Sequence, residues 1–191
     1  TCLGWMGPTP LHEDGRAPAS AGTCPGARRI SVAEACLERQ AGIDAIMRRL
    51  KKESAEITTI GDPRISKRVI LPGRFARVYV EEGQGVPFFG GKQIHQLDPT
   101  DRKFLSLKIH GPRIREQLAL AENMILISCS GTIGKVAFAP KHWTGFAASQ
   151  HIIRVVPSSA EVAGFLYVFL DTDYGRELIR RFSYGSAVGE I

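Results

Sequence analysis

The pattern of apolar and polar positions divides the chain into a helical stretch followed by a region of short strands. In SVAEACLERQAGIDAIMRRLKKES, residues 31–54, apolar side chains recur at helical spacing. Ser31 and Glu34 have the spacing of a capping box, in which each side chain accepts a hydrogen bond from the other residue's backbone N–H. The pattern predicts an amphipathic helix over residues 31–55, packed either on its own domain or on a partner.

After Pro63, short apolar runs alternate with glycine and proline, as is typical of strands joined by turns. The predicted strands are 76–80, 86–89, 93–97, 124–130, 135–140 and 151–157. Apolar residues at i, i+3 and i+4 then predict two helices, at 161–171 and 173–182. This order predicts the α+β class, with a curved, mostly antiparallel sheet, packed helices and the N-terminal amphipathic helix before them.

Length and composition favour one domain with a lead-in. Residues 1–30 are rich in glycine, proline and alanine without a hydrophobic period, so we expect a poorly ordered lead-in. Residues 31–191 are predicted to form a single domain whose mixed α/β part spans 60–191. No apolar run approaches the roughly 18 residues of a membrane helix. The four cysteines show neither CxxC nor Cys/His metal spacing, which predicts a cytoplasmic setting and no metal.

The charge of the chain adds a candidate partner. Its formal net charge of +6 favours a polyanion. Basic residues form two clusters, of which the first is Arg64, Lys67, Arg68, Arg74 and Arg77, with no acid among them. The second cluster is Lys92, Arg102, Lys103, Lys108, Arg113 and Arg115. Each cluster alone could be an ordinary solvated surface. Taken together, the two clusters make an anion-binding face as open an interpretation as a solvated surface.

The segment SGTIGK, residues 130–135, interrupts two apolar runs and allows three interpretations. A phosphate-binding P-loop needs G-x-x-x-x-G-K-[ST], but Gly131 and Gly134 are only three positions apart and Val136 follows the lysine, which excludes it.

A nucleophilic site in the same segment would use Ser128, Cys129 or Ser130, with His142 or His151 as the base. The flanks lack the G-x-S-x-G elbow and an orienting acid. A small hydrolase or nucleotide-binding enzyme therefore stays only as a rival hypothesis.

A hairpin turned by glycine is the third interpretation. Gly131 and Gly134 would supply backbone angles that other residues avoid. This would place Ser130, Thr132 and Lys135 at the tip, where hydroxyl groups, backbone N–H groups and an ammonium could contact a phosphate. A purely structural turn remains the alternative.

Seven motifs in order give the chain a resemblance: ILPGRFARVYV, GVPFFGGKQI, KFLS, ENMILISCSGTIGKVAF, SQHIIRVVP, GFLYVFLDTDYGRELI and YGSAVGEI. The series resembles the target recognition domain of specificity subunits from type I restriction-modification systems, over residues 50–191. The resemblance implies binding of double-stranded DNA in phage defence, with no active site or cofactor. It also implies methyltransferase (modification) subunits and a restriction subunit as partners.

The resemblance also separates framework from variable segments. Ser130, Thr132 and Lys135 fall in the shared loop, whereas base recognition is expected in 92–115 and 140–151. Because glutamine pairs with adenine, the candidates there include Gln93, Gln96 and Gln150, and His151 is a further candidate for base contact.

The chain departs from the family pattern in having one recognition domain. We therefore expect a fragment, a half-size subunit that self-associates, or the recognition portion of a fused methyltransferase-nuclease.

Overall fold

The structure, a computed structural model, describes residues 32–96 and 98–181. The chain divides into two units, Thr1–Cys36 and Leu37–Ile191. In the first, the described residues are the helical backbone of Val32–Cys36. Three sequence predictions lie outside the described residues: the lead-in 1–30, the Ser31 half of the capping box, and the motif YGSAVGEI.

Four α-helices occur in the described part of the chain: α1 (Val32–Lys52), α2 (Leu107–Arg113), α3 (Ala160–Asp171) and α4 (Asp173–Arg180). The two helices predicted at 161–171 and 173–182 are confirmed as α3 and α4. Each begins at a hydroxyl cap: Ser159 Oγ accepts from Val162 N at 3.3 Å, and Thr172 Oγ1 accepts from Gly175 N at 3.0 Å. No helix within residues 32–96 and 98–181 is long and apolar enough to span a membrane.

Eight strands form two four-stranded sheets. They are β1 (Ser66–Ile70), β2 (Tyr79–Val80), β3 (Gly85–Phe89), β4 (Lys103–Ser106), β5 (Ile125–Ser128), β6 (Val136–Phe138), β7 (Ala147–Ala148) and β8 (Ile152–Pro157). The first sheet has the order β1-β8-β5-β6 and the second β2-β4-β3-β7. These pairings are antiparallel except for β3 with β7. The α+β class with a mostly antiparallel sheet and packed helices is thus confirmed, with the strands divided between two sheets.

One predicted strand is wrong, because residues 93–95 form a 3₁₀ turn. Gln93 Oε1 accepts from Gly90 N at 3.0 Å, and Ile94 N donates to Gly90 O at 3.4 Å, so the chain folds back after the two glycines instead of extending. The strand predicted at 76–80 is reduced to β2, and β1, β4, β7 and α2 were not predicted from the hydrophobic pattern.

The core explains the uninterrupted apolar run of β5. Ile125 and Ile127 pack in one cluster with Leu166 of α3. Leu126, between them, points to the other face and packs with Phe89 of β3 in a second cluster. A strand covered on both faces has no solvent side to carry polar residues, so all four of its residues are buried.

A buried arginine connects the two sheets. The Arg154 guanidinium, on β8, is 0% exposed and donates to the carbonyl oxygens of Leu118 (3.3 Å), Ile152 (2.7 Å), Ser149 (3.3 Å) and Ala148 of β7. Burial lowers the pKa of Arg154 to about 10, which leaves it charged at neutral pH. This one side chain therefore ties the first sheet to the segment that carries Gln150 and His151.

Candidate nucleic-acid interface

The loop 129–135 joins β5 to β6 as a hairpin, which confirms the hairpin of the third interpretation of SGTIGK, whereas its contact with a phosphate stays a prediction. Gly131 has φ +75° and Gly134 φ +78°, angles that disfavour residues with a Cβ. Ser128 Oγ accepts from Lys135 N at 3.1 Å and donates to Thr132 O, which ties the two ends of the loop. The loop is thus held by its own main chain and by one buried hydroxyl.

Beside this hairpin lies a cavity of about 480 Å³, here called the lysine cavity. Five predicted site residues line it: Lys92, Gln96, Ser130, Thr132 and Lys135. His95, which was not predicted as a site residue, lines the same cavity. The structure thus brings the segment 91–96 against the hairpin and places two lysines and three hydroxyl-bearing residues around one concavity.

His95 takes part in the electrostatics of the lysine cavity. Its pKa is lowered by partial burial and by the charge of Lys135, against a smaller opposing effect of Asp171. Its imidazole is therefore neutral at pH 7 and has one donor and one acceptor nitrogen. The permanent positive charge of the cavity comes from its two lysines.

Three of the other predicted site residues already have partners within the fold. Arg64 contacts Asp62 at 2.9 Å and Glu56 at 2.7 Å, and these contacts raise the pKa of Arg64 and lower that of Asp62. Gln93 holds the turn after Gly90. Arg102 contacts Asp98 at 2.6 Å and donates to Pro99 O at 2.7 Å. A base contact by either arginine would have to use the guanidinium N–H groups that these bonds leave over, and one by Gln93 Oε1 would have to replace its bond to Gly90 N.

The remaining predicted residues lie on several elements. Lys67 and Arg68 are exposed on β1, an edge strand of the first sheet. In the second sheet, the Lys103 ammonium lies 5.3 Å from the Tyr79 ring, and just before β2 the Arg77 guanidinium lies 5.6 Å from the Phe88 ring. The first basic cluster of the sequence is therefore distributed over β1 and the segments that precede β1 and β2.

Three further candidates complete the set. Lys108 is exposed on α2, and Arg74 is exposed ahead of β2. Gln150 and His151 follow β7 and are half-buried. The Gln150 Oε1 atom is buried without a hydrogen-bond partner in the described part of the chain. Contact of these residues with DNA stays a prediction.

A family comparison covers the lysine cavity and the second sheet. The model for the type I restriction modification DNA specificity domain matches residues 73–190, more than half of the chain. The chain belongs to this family. The matched range contains the hairpin, both lysines of the lysine cavity, and Arg154.

Two solved structures are similar to this chain in part. The type I restriction-modification system S subunit from M. genitalium is 15% identical with a TM-score of 0.39, over 68% of this chain and 29% of its own. The HsdS subunit from Thermoanaerobacter tengcongensis is 17% identical with a TM-score of 0.38, over 76% of this chain and 40% of its own. This specificity-domain chain thus spans less than half the length of either subunit. No curated protein matches it.

The nucleophile interpretation named Ser128, Cys129 or Ser130 with His142 or His151 as the base, and of these residues Ser128 and Ser130 line the lysine cavity. The Ser128 hydroxyl is 4% exposed and its hydrogen bonds go to the main chain of Thr132 and Lys135. Its role in this specificity domain is to hold the hairpin, and a proton transfer to a histidine would break that arrangement.

Replacing Gly131 with valine should lower the free energy of unfolding by about 1–3 kcal/mol. The cause is backbone strain, because valine resists a φ of +75° although a Cβ here would meet nothing within 4 Å. Thermal unfolding measures the effect, with Gly91→Val as the control, since Gly91 is equally open and has no positive φ. Equal melting temperatures of the two variants would show that the turn does not require glycine.

Proposed function

We propose that this chain binds double-stranded DNA and recognises a target sequence within a type I restriction-modification system. The observation that carries the proposal is the family match across a structure whose polar cavity is lined by two lysines and three hydroxyl-bearing residues. Lysine and hydroxyl groups with backbone N–H donors suit phosphate oxygens, which position a protein on DNA without reporting its sequence.

Sequence recognition needs a second set of residues, whose side chains reach base edges. The candidates for these contacts are Lys103, Gln150 and His151, whose side chains have a donor or acceptor for a hydrogen bond to a base edge. Gln93 and Arg102 are weaker candidates than the sequence indicates, because their polar groups hold the fold.

The assembly follows from the same proposal. The chain would direct methyltransferase (modification) subunits and a restriction subunit to the target, in the cytoplasm and as part of phage defence, without catalysis of its own. A half-size subunit would supply the second recognition domain by self-association. The runner-up within the same class is the recognition portion of a fused methyltransferase-nuclease.

The proposal predicts different effects for the lysine cavity and for the base-contact candidates. Lys135→Ala should weaken binding to every duplex to a similar degree and reduce the salt slope by about 0.9 for each phosphate that is no longer neutralised. Lys103→Ala, Gln150→Ala or His151→Ala should relax preference at single base pairs, since a good bidentate pairing contributes about 1–3 kcal/mol.

The measurement has two stages. Selection from a randomised duplex library first defines the target, and binding to all its single-base variants is then measured at a fixed salt concentration. Lys52→Ala, at the exposed end of α1, is the matched lysine control and should bind as the parent does. Changed base preference in Lys135→Ala, with all three candidates unchanged, would assign recognition to the hairpin instead. Failure to select any duplex would refute the proposed function.

A further inference from the structure

A second cavity of about 400 Å³ adjoins the lysine cavity and is here called the aromatic cavity. Its walls include the rings of Phe138, Trp143 and Tyr167, with His95 and Gln96 as polar groups. Phe138 and Tyr167 pack edge to face at 5.8 Å between centroids. The chemistry of this cavity, flat rings with a few hydrogen-bonding groups, differs from that of its neighbour.

The two cavities share a wall. His95 and Gln96 line both, and consecutive residues of the hairpin, Lys135 and Val136, line the lysine cavity and the aromatic cavity respectively. A ligand that spans the wall would therefore have an anionic group on one side and a flat, hydrogen-bonding group on the other.

One residue in the wall of the aromatic cavity has a buried polar atom without a partner. Trp143 is 2% exposed, and its Nε1–H has no hydrogen-bond acceptor among the described residues. A buried donor left without an acceptor is destabilising, so such groups point to a missing partner. Gln96, which is exposed, offers an amide of the kind that pairs with base edges.

We propose that the two cavities together hold one unpaired nucleotide, with its phosphate in the lysine cavity and its base in the aromatic cavity. Bases stack on aromatic side chains and carry ring nitrogens and carbonyl oxygens as acceptors, which suits both Tyr167 and the Trp143 donor. Lys92 and Lys135 would neutralise the phosphate. The nucleotide is either an unpaired residue of a bound DNA strand or a free nucleotide, and the first of these rests on the proposed function.

Removing a nucleotide from a base stack has an energetic cost, which is smallest for a base that is already unpaired. The probes are therefore three duplexes of one sequence: fully paired, with one unpaired adenine, and with an abasic residue at the unpaired position. Free dAMP, dCMP, dGMP and dTMP form the fourth arm. We expect the unpaired adenine to bind about 10-fold more tightly than the abasic residue, the size of one base–aromatic stack.

Two variants test whether the preference for the unpaired base arises in the aromatic cavity. Trp143→Phe keeps the ring and removes the donor, and Gln96→Ala removes an exposed amide, so both should remain folded by thermal unfolding. Each should reduce the preference for the unpaired base over the abasic residue by about 5-fold, as expected for the removal of one hydrogen bond. Gln84→Ala, an exposed glutamine in the turn before β3, is the matched control and should keep the full preference.

The outcomes separate the two proposals. Preference for the unpaired base, reduced by about 5-fold in each of Trp143→Phe and Gln96→Ala, supports a site for a nucleotide of the DNA strand. If a free nucleotide binds and both variants weaken its binding, the site is one for free nucleotides. This result would stand even if no duplex bound and the proposed function failed. Equal binding of all three duplexes without binding of any free nucleotide overturns the nucleotide site and leaves the proposed function standing. A preference that both variants retain in full also overturns it, since the base would then lie elsewhere.

Discussion

Replacing Arg154 with methionine should lower the free energy of unfolding by about 3 kcal/mol or more. The guanidinium is fully buried and donates to four main-chain carbonyls, including Leu118 O at 3.3 Å and Ile152 O at 2.7 Å. Methionine fills much of the volume of the arginine side chain but donates no hydrogen bond. Each buried acceptor left unsatisfied costs about 1–3 kcal/mol, although release of a buried charge offsets part of the effect.

Denaturant unfolding of Arg154→Met measures this effect, and Arg68→Met is the control. Arg68 is an exposed arginine on β1, so its replacement should change stability by no more than about 0.5 kcal/mol. Similar unfolding midpoints for the two variants would show that the buried guanidinium contributes little net stability. Because Arg154 also holds Ala148 and Ser149, a folded variant should lose base preference through the segment that carries Gln150.

Replacing Gly175 with alanine should also destabilise the domain by about 3 kcal/mol. A Cβ at this position would lie 2.3 Å from Phe169 O and 2.6 Å from Leu170 Cα. Both are backbone atoms of α3, so relief requires the whole of α4 to move rather than one side chain. The Thr172 cap, which accepts from Gly175 N, would be displaced with it.

The matched control for this variant is Gly164→Ala, in the exposed part of α3. A Cβ at Gly164 would meet nothing within 4 Å, and alanine is the better helix former by about 1 kcal/mol. Thermal unfolding should therefore show a lower melting temperature for Gly175→Ala and an equal or higher one for Gly164→Ala. A Gly175→Ala protein as stable as its parent would mean that the packing between α3 and α4 is loose.

Much of the fold follows from short-range patterns in the sequence. The apolar runs of β5, β6 and β8 and the periodic segments of α3 and α4 predict those elements near their observed bounds. The family resemblance, based on the order of seven motifs, agrees with the match over residues 73–190. Each of the strand and helix signals depends on neighbours within about four positions along the chain.

Other elements carry weak local signals. SKRVI, the β1 segment, has an exposed basic pair in its middle, so its pattern does not alternate, and only its pairing with β8 makes it a strand. QIHQL is predicted as a strand from the sequence, yet its hydrogen bonds with Gly90 fold residues 93–95 into a 3₁₀ turn. In both cases contacts outside the segment override its local preference.

What the sequence alone determined is the local geometry of the hairpin. Gly131 and Gly134 supply positive φ because they lack a Cβ, and the lysine that follows them is then placed at the end of the loop. What only the tertiary structure decided is which distant polar groups meet. Lys92 and His95 line a cavity with Lys135, about forty residues further along, whereas Gln93 and Arg102 bind the fold itself. Composition and spacing do not distinguish these cases, because whether a polar side chain is available depends on the partners that folding places within hydrogen-bond distance.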